Sequence, residues 1–412
     1  VHLFLLPSRI SLGFSFYDKK AYDARIRKNS TMPKRIIILG AAGSIGRQSI
    51  EVIRQSAATE EPLVLAGFSV HHNAKVLLSL KNEFPHARAA YTGDAASAPM
   101  GADWAGPEAL AQLLSAVQAD IVVNGIAGAA GLSASILALQ NRMHLALANK
   151  ESIVMGYRLL KQLADDNELS IIPVDSEHAA LFQLTQKIGM HAIAELTITA
   201  SGGPFRTLPL ERLAEMTADD ACKHPVWKMG RKISIDSATM ANKGLELIEA
   251  SKLFDMPQEH IRVLIHPQSY VHAMVRTFDG ALYAQISEPD MRLPIHAALH
   301  WPHTYPSPFG HAELAGKTLE FFEPERDRYP LVWLARNAMD AGDAACIAYN
   351  AANEIAVARF EAARIRFTKI VQVVSETLAH SWNLPVSSFE DIFDIDMKAR
   401  QIAEELVEHI AW

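Results

Sequence analysis

Asp175 and Glu177 stand one residue apart in "IIPVDSEHAA", residues 171–180, where a mostly apolar run ends on two carboxylates. Two carboxylates held together repel each other unless a cation joins them or one takes a proton. If the segment stays extended, the strand period of two sends both side chains to one face. With no cysteine cluster nearby, oxygen-only ligation suits a hard ion such as Mg²⁺ or Mn²⁺. The plain alternative is a pair of solvated acids capping the next helix, whose first turn takes in His178. Further on, Glu246 follows Lys243 by three residues on one helix face, so it offers either a third carboxylate or a solvated partner for that lysine.

Anion donors lie close to these acids in the sequence. "ELTITASGGPFRTL" empties an alternating strand into Ser201, Gly202 and Gly203, a turn able to aim a hydroxyl and backbone N–H groups at one anion. Ser237, Asn242 and Lys243 follow in "KISIDSATMANKGLE", and a helix start carrying Asn and Lys is a natural phosphate site. Between the two groups, His224 to Lys232 mixes Trp227 and Met229 with four basic residues and Gly230. That mixture suits a mobile flap over an anionic substrate, apolar enough to exclude water and positive enough to attract the ligand.

These residues need a frame, and the N-terminal part of the chain supplies its pattern. "PKRIIILGAAGSIGRQSIEVIRQ" sets an apolar strand, Ile36 to Leu39, directly before Gly40, Gly43 and Gly46, with an amphipathic helix following. Strand, glycine turn and helix in that order form a dinucleotide cradle, although the spacing is G-x-x-G-x-x-G. The next strand, "LVLAGFSV", ends at Val70 with His71, His72 and Asn73 beyond it. An NAD site usually has a carboxylate there for the ribose hydroxyl; its replacement by donors favours NADP. Strands at "ADIVVNGIAG" and "HLALAN", separated by a helical segment, extend a parallel, doubly wound sheet. Asn149, Lys150 and Glu151 fall at a strand's carboxyl end, where ligands gather, and Lys150 suits a substrate oxygen.

Bulk properties narrow the function classes. At 412 residues the chain implies two or three domains, and 49% apolar residues suffice for large cores. A net charge of −7 with both signs interspersed leaves no nucleic-acid footprint. No apolar run approaches a membrane span. Two isolated cysteines, Cys222 and Cys346, fit a reducing, cytoplasmic compartment. The opening "VHLFLLPSRISLGFSF" lacks a basic segment before it and is broken by Pro7, which argues against a secretory signal. Asp18 and Asp23 weigh against an organelle transit peptide.

The order "GAAGSIG", "ANKES", "PVDSEH", "SGGPFR", "HPVWKMGRKISIDSATMANKGLE" resembles the 1-deoxy-D-xylulose 5-phosphate reductoisomerases of the non-mevalonate isoprenoid pathway, and "YNAANEIAVARF" extends the likeness. The resemblance implies that Asp175, Glu177 and Glu246 bind one Mg²⁺ or Mn²⁺. It implies that Ser201, Ser237, Asn242 and Lys243 hold the substrate phosphate, that Lys150, Ser176 and His224 approach the carbon chain, and that Trp227 closes over it. NADPH would be held by Ala42, Gly43, Ser44 and Ile45, by the end of the second strand (Val70, His71, His72), and by Asn149, Glu151 and Gly230. The family often has a hydroxyl residue at the place of Ala42 and Gly-Lys-Asn where "VHHN" stands here. A homodimer is also implied. The general base stays open among Lys150, His224 and a hydroxide on the ion.

The resulting expectation is an α/β chain. Residues 1–31 form an extension with little structure, and 32–174 a Rossmann-like, doubly wound NADP-binding domain. A central α/β catalytic domain with the flap takes 175–301, a linker 302–325, and a C-terminal α-helical bundle 326–412. The reaction expected is rearrangement and NADPH reduction of a phosphorylated ketose. The rival readings are a plain NADP-dependent dehydrogenase of another phosphorylated aldehyde and a non-catalytic NADP-sensing module.

Overall fold

Strand β1 (Lys34–Leu39) sets the logic of the first sheet, because Ile36, Ile37, Ile38 and Leu39 are all fully buried. Ile36 and Ile38 face one apolar core and Ile37 and Leu39 the other, as the strand period requires. A strand apolar on both faces needs a neighbour on each edge and helices on each side. It lies parallel to β2 (Leu63–Val70) and to β5 (Ile121–Asn124). With β3 (Arg88–Tyr91), β4 (Trp104–Ala105), β6 (His144–Leu147) and β7 (Ile171–Pro173), the sheet order is β4-β3-β2-β1-β5-β6-β7, and every pairing is parallel. The order reverses between β1 and β5, which opens a crevice at their carboxyl ends. This is the doubly wound sheet expected from the sequence. The computed structural model describes residues 33–410 except Glu60, Pro225 and Lys228, so the expectation for residues 1–31 lies outside the described residues.

A second sheet carries the central segment. Its strands are β8 (Ile193–Ala200), β9 (Ile261–Ile265), β10 (Val271–Thr277) and β11 (Leu282–Ile286), in the order β11-β10-β8-β9. β8 runs parallel to β9 and antiparallel to β10. Helix Ser176–Ile188 links the two sheets, while helices Arg231–Thr239 and Ala241–Phe254 meet at Met240, whose left-handed backbone breaks them apart. Helix Arg292–His300 returns to the first domain: Ile295, Ala298 and Leu299 join the core that holds Ile36 and Ile38.

The C-terminal part is helical, as its three-and-four apolar spacing predicts. Helices Pro330–Ala341, Lys369–Leu378 and Phe389–Ile410 surround Asp343–Glu361, which is buried along most of its length. Alanines at 344, 345, 348, 351, 352 and 356 let the neighbours approach it closely. One continuous core joins this bundle to the second sheet and to one face of the first.

The glycine turn after β1 shows how tightly the frame is built. A Cβ placed on Gly46 would lie 2.4 Å from the Gly40 carbonyl oxygen and 2.5 Å from Ala41 Cα, whereas one on Gly43 would meet only the Gly40 oxygen, at 3.2 Å. Gly46→Ala should therefore destabilise the protein by roughly 3 kcal/mol. Gly43→Ala, at an allowed backbone conformation, should cost less than about 1 kcal/mol. Urea denaturation of the two variants measures the contrast.

Candidate active site

Three helix starts bring the predicted residues together. Asn149 caps helix Lys150–Asp166, its Oδ1 accepting the Ser152 N–H at 2.9 Å, and so sets Lys150 and Glu151 in the first turn. Asp175 is the N-cap residue of helix Ser176–Ile188, with Glu177 in that helix's first turn. Met240 starts the third helix, which presents Asn242, Lys243 and Glu246 along one side. The extended geometry expected for Asp175 and Glu177 is thus corrected: β7 stops at Pro173, and the two acids converge because the chain turns into a helix between them.

The acids are neutralised by lysines. Lys150 Nζ donates to Asn242 Oδ1 at 2.7 Å and to Glu246 Oε1 at 2.8 Å, and lies 2.7 Å from Asp175 Oδ2. Lys243 pairs with Glu246 and stands 3.7 Å from Glu177 Oε1. Burial alone would lower the Lys150 ammonium, but Asp175, Glu246 and Glu249 hold its pKa well above the usual value. Burial likewise works against the Asp175 carboxylate, yet Lys150 and His178 keep its pKa well below the carboxylate range. Glu177 is the acid left short of positive charge: burial, with Glu246 and Asp175 close by, outweighs Lys243 and pushes it up to about 8.

His178 belongs to the first turn, as expected, and also locks the cluster. Its Nε2 donates to the Glu246 backbone oxygen at 2.9 Å, and Nδ1 lies 3.0 Å from Asp175 Oδ1 and 3.3 Å from Glu249 Oε2. Burial lowers this imidazole, but Glu249 and Asp175 raise it to about 9. Asp175, His178 and Glu246 each offer an atom within 4.8 Å of the others. Both His178 nitrogens already face acceptors, which leaves the carboxylate oxygens of Asp175 and Glu246, with Glu177 across Lys243, facing one another.

Around the acids opens a cavity of about 1050 Å³. The predicted phosphate donors Ser201, Ser237, Asn242 and Lys243 line it, with Lys150, Ser176, His224 and Trp227. Ser201 Oγ lies 2.9 Å from His224 Nε2 and accepts the Gly203 N–H at 3.1 Å. His224 Nδ1 accepts the Val226 and Trp227 N–H groups at 3.1 and 2.8 Å, so the ring is neutral with its proton on Nε2; burial holds its pKa at about 4. This bond anchors one end of the flap.

Of the cofactor residues, Gly43, Ser44, Ile45, Asn149, Glu151 and Gly230 line the cavity. Ala42 adjoins them, and Val70 is buried at the end of β2. His71 and His72 stand exposed past that strand with their rings 3.7 Å apart, and they do not line the cavity. Gly43 gives its helix no side-chain cap and the first turn has no acid, which leaves backbone N–H groups for an anion.

Sequence reasoning missed several wall residues. His272 lies buried on β10, its pKa lowered to about 4 by burial, with its ring 6.2 Å from Trp227. A lone imidazole in the apolar "YVHAMV" was its only signal. Glu288, Asp290, Met291 and Arg292 form the wall after β11, where the run "SEPDMR" at a strand end was available as a clue. Lys232 donates to Glu151 Oε1 at 2.8 Å and lies 3.0 Å from the buried Asp236 Oδ2, which makes it a structural tie at the flap's other end.

A family model described as 1-deoxy-D-xylulose 5-phosphate reductoisomerase matches residues 36–156, and two models of that enzyme's C-terminal domains match 171–254 and 286–402. The reductoisomerase of Treponema denticola is 44% identical over 373 residues, covering 90% of this chain and 96% of its own. That of Treponema pallidum is 41% identical over 377 residues, covering 91% and 97%. The Zymomonas mobilis enzyme, solved in complex with NADPH, superposes with a TM-score of 0.82 at 38% identity, covering 92% of this chain and all of its own. A reductoisomerase solved with NADPH, fosmidomycin and magnesium gives 0.82 at 35% identity, with 91% and 98% coverage.

The site carries a pH signature. Glu177, Glu249 and His178 all have folded-state pKa values raised to about 8, 8 and 9. Each binds its proton more tightly folded than unfolded, so its contribution is complete below the unfolded pKa and is lost as pH rises through the folded one. Without divalent ions, thermal stability should fall as pH rises from about 4.5, the ordinary glutamate value, to about 9, and added Mg²⁺ should flatten the slope by replacing a bound proton as the compensating charge. Melting curves with chelator and with excess Mg²⁺ test this.

Proposed function

The chain belongs to the 1-deoxy-D-xylulose 5-phosphate reductoisomerase family, and from that premise we infer what its cavity does. It is an NADPH- and divalent-metal-dependent enzyme of isoprenoid precursor synthesis, converting 1-deoxy-D-xylulose 5-phosphate to 2-C-methyl-D-erythritol 4-phosphate. The observation that carries the assignment of residues is the convergence, in one cavity, of three carboxylates, four phosphate donors and a glycine-turn helix start.

The residues fit the groups the reaction needs. Asp175, Glu177 and Glu246 form an oxygen donor set short of positive charge, and two buried ammoniums already occupy their surroundings. We assign them the metal ion. We assign NADPH to Ala42, Gly43, Ser44 and Ile45, to Val70, His71 and His72, and to Asn149, Glu151 and Gly230. When bound, a divalent ion polarises neighbouring oxygens of the ketose and NADPH supplies the hydride.

The chain's own residues do the remaining work. Ser201, Ser237, Asn242 and Lys243 hold the phosphate away from the reacting carbons, so their binding energy orients the fragments once the C3–C4 bond breaks. Lys150, kept protonated by its acids, serves as a donor to a substrate oxygen and not as the base. Ser176 and His224 border the same space, His224 offering its Nε2 proton. Trp227 and Met229 on the flap exclude water from the enolate-like and aldehyde stages.

Two further assignments complete this reading. The working domain map is 32–174, 175–301, 302–325 and 326–412, supported by β7 ending at Pro173 and by helices resuming at Pro330. The chain assembles as a homodimer through the edge strand β11, where Leu282, Tyr283 and Ile286 are 48, 46 and 37% exposed. No described helix is long and apolar enough to cross a membrane, and we place the enzyme in the cytoplasm.

Purified protein should oxidise NADPH, followed at 340 nm, only with both the ketose phosphate and Mg²⁺ or Mn²⁺. Oxidation that survives full chelation would refute the metal assignment. Asp175→Asn should lower kcat/KM by about a hundredfold or more with its circular dichroism unchanged. Light scattering should give twice the chain mass, and Tyr283→Lys should shift the protein toward monomer; a monomeric wild type would exclude the β11 dimer.

A further inference from the structure

The C-terminal helix Asp343–Glu361 holds polar side chains that the reaction leaves without a task, and they close a ring with the cofactor site. Asn353, fully buried, donates from Nδ2 to Asp236 Oδ1 at 2.8 Å. Asp236 Oδ2 lies 3.0 Å from Lys232 Nζ, which donates to Glu151 Oε1 at 2.8 Å. Glu151 Oε2 accepts from Asn149 Nδ2 at 2.7 Å, and the same amide nitrogen reaches the Gly128 carbonyl oxygen at 2.9 Å. Glu354, next to Asn353, completes the circuit: its Oε1 accepts the Ala129 N–H at 2.9 Å, and its Oε2 accepts from Arg400 Nη2 at 2.6 Å.

The contact at the loop is close. Gly128 has φ +76°, and a Cβ there would stand 3.0 Å from Glu354 Oε1. Immediately before it, Gly125, Ile126 and Ala127 form the cavity wall beside Gly43, Ser44 and Ile45. This loop leaves β5 at the point where strand order reverses, the crevice in which a dinucleotide lies. Ala129 precedes helix Ala130–Gln140, and no side chain caps that helix start from within its own segment. The carboxylate that holds it comes from 225 residues away and is itself held by Arg400, whose guanidinium also bonds Asp396 at 2.6 Å.

We propose that Glu354, held by Arg400, is a positioning residue for NADPH, fixing the loop Gly125–Ala129 that forms one wall of the cofactor site. Glu354 does not line the cavity, so its loss acts on cofactor binding through the loop. The inference rests on the assignment of NADPH to this cavity.

The test uses the full chain as wild type, Glu354→Ala, Glu354→Gln and Arg400→Met. NADPH binding is read by fluorescence titration, amide exchange by mass spectrometry over residues 121–135, and steady-state KM for each substrate at saturation of the other. Glu354→Ala should weaken NADPH by about tenfold while KM for the ketose phosphate moves by less than about threefold. Exchange at residues 125–131 should accelerate, with the remaining segments unchanged. Glu354→Gln keeps an acceptor for the Ala129 N–H and should recover binding to within about threefold of wild type. An NADPH dissociation constant within about twofold of wild type in Glu354→Ala overturns the proposal. Equal losses for both substrates also overturn it, since they would mark general loosening. Should Glu354→Ala fail to fold, Arg400→Met decides: NADPH weakened by about threefold or more supports the proposal, and any smaller change refutes it. A wild type that does not bind NADPH would instead sink the functional assignment, and this inference with it.

Discussion

Charge compensation in a space sheltered from water governs this molecule. Asp175, Glu177 and Glu246 gather where Glu246 is 1% exposed, and unpaired carboxylates cannot be kept ionised in such a place. Lys150, Lys243 and a protonated His178 answer this, but three cations for the four acids Asp175, Glu177, Glu246 and Glu249 leave a deficit. The deficit falls on Glu177 and Glu249, whose protons are held to about pH 8. A divalent cation satisfies the same deficit with one more positive charge than a proton. Three helix N-termini, beginning at Lys150, Ser176 and Ala241, add their positive dipole ends to the balance.

That balance explains which parts of the site could be read from the sequence. Asp175 and Glu177 were legible because two acids at an apolar strand's end are electrostatically costly. Their local geometry was not, since the choice between an extended segment and an N-cap depends on where β7 ends against β6. Lys243 and Glu246 were legible as a pair three residues apart on a helix. Lys150 suggested a substrate contact, but its role as counter-ion to Asp175 and Glu246 joins residues 25 and 96 positions away. The first sheet was the easiest part, because a strand buried on both faces writes a continuous apolar run. His272 and Met291 were faint: the pairing of β10 with β8 and the turn after β11 bring them to the cavity, and neither leaves a periodic mark.

The segment from His224 to Lys232 is tied to this base at both ends. At one end, His224 bonds Ser201 and takes two backbone N–H groups on its other nitrogen. At the other, Lys232 is tied to Glu151 and Asp236, while Arg231 pairs with Asp219 and with Glu361 on the C-terminal bundle. Between these anchors Gly230 has open space around the position a Cβ would take, and Trp227 is only half-buried. The second anchor depends on the bundle, because Asn353 holds Asp236 and Glu361 holds Arg231. The C-terminal helices therefore do more than cover the core: they hold Arg231 and Asp236 beside the cavity wall, and they share one continuous apolar interior with the sheets they steady.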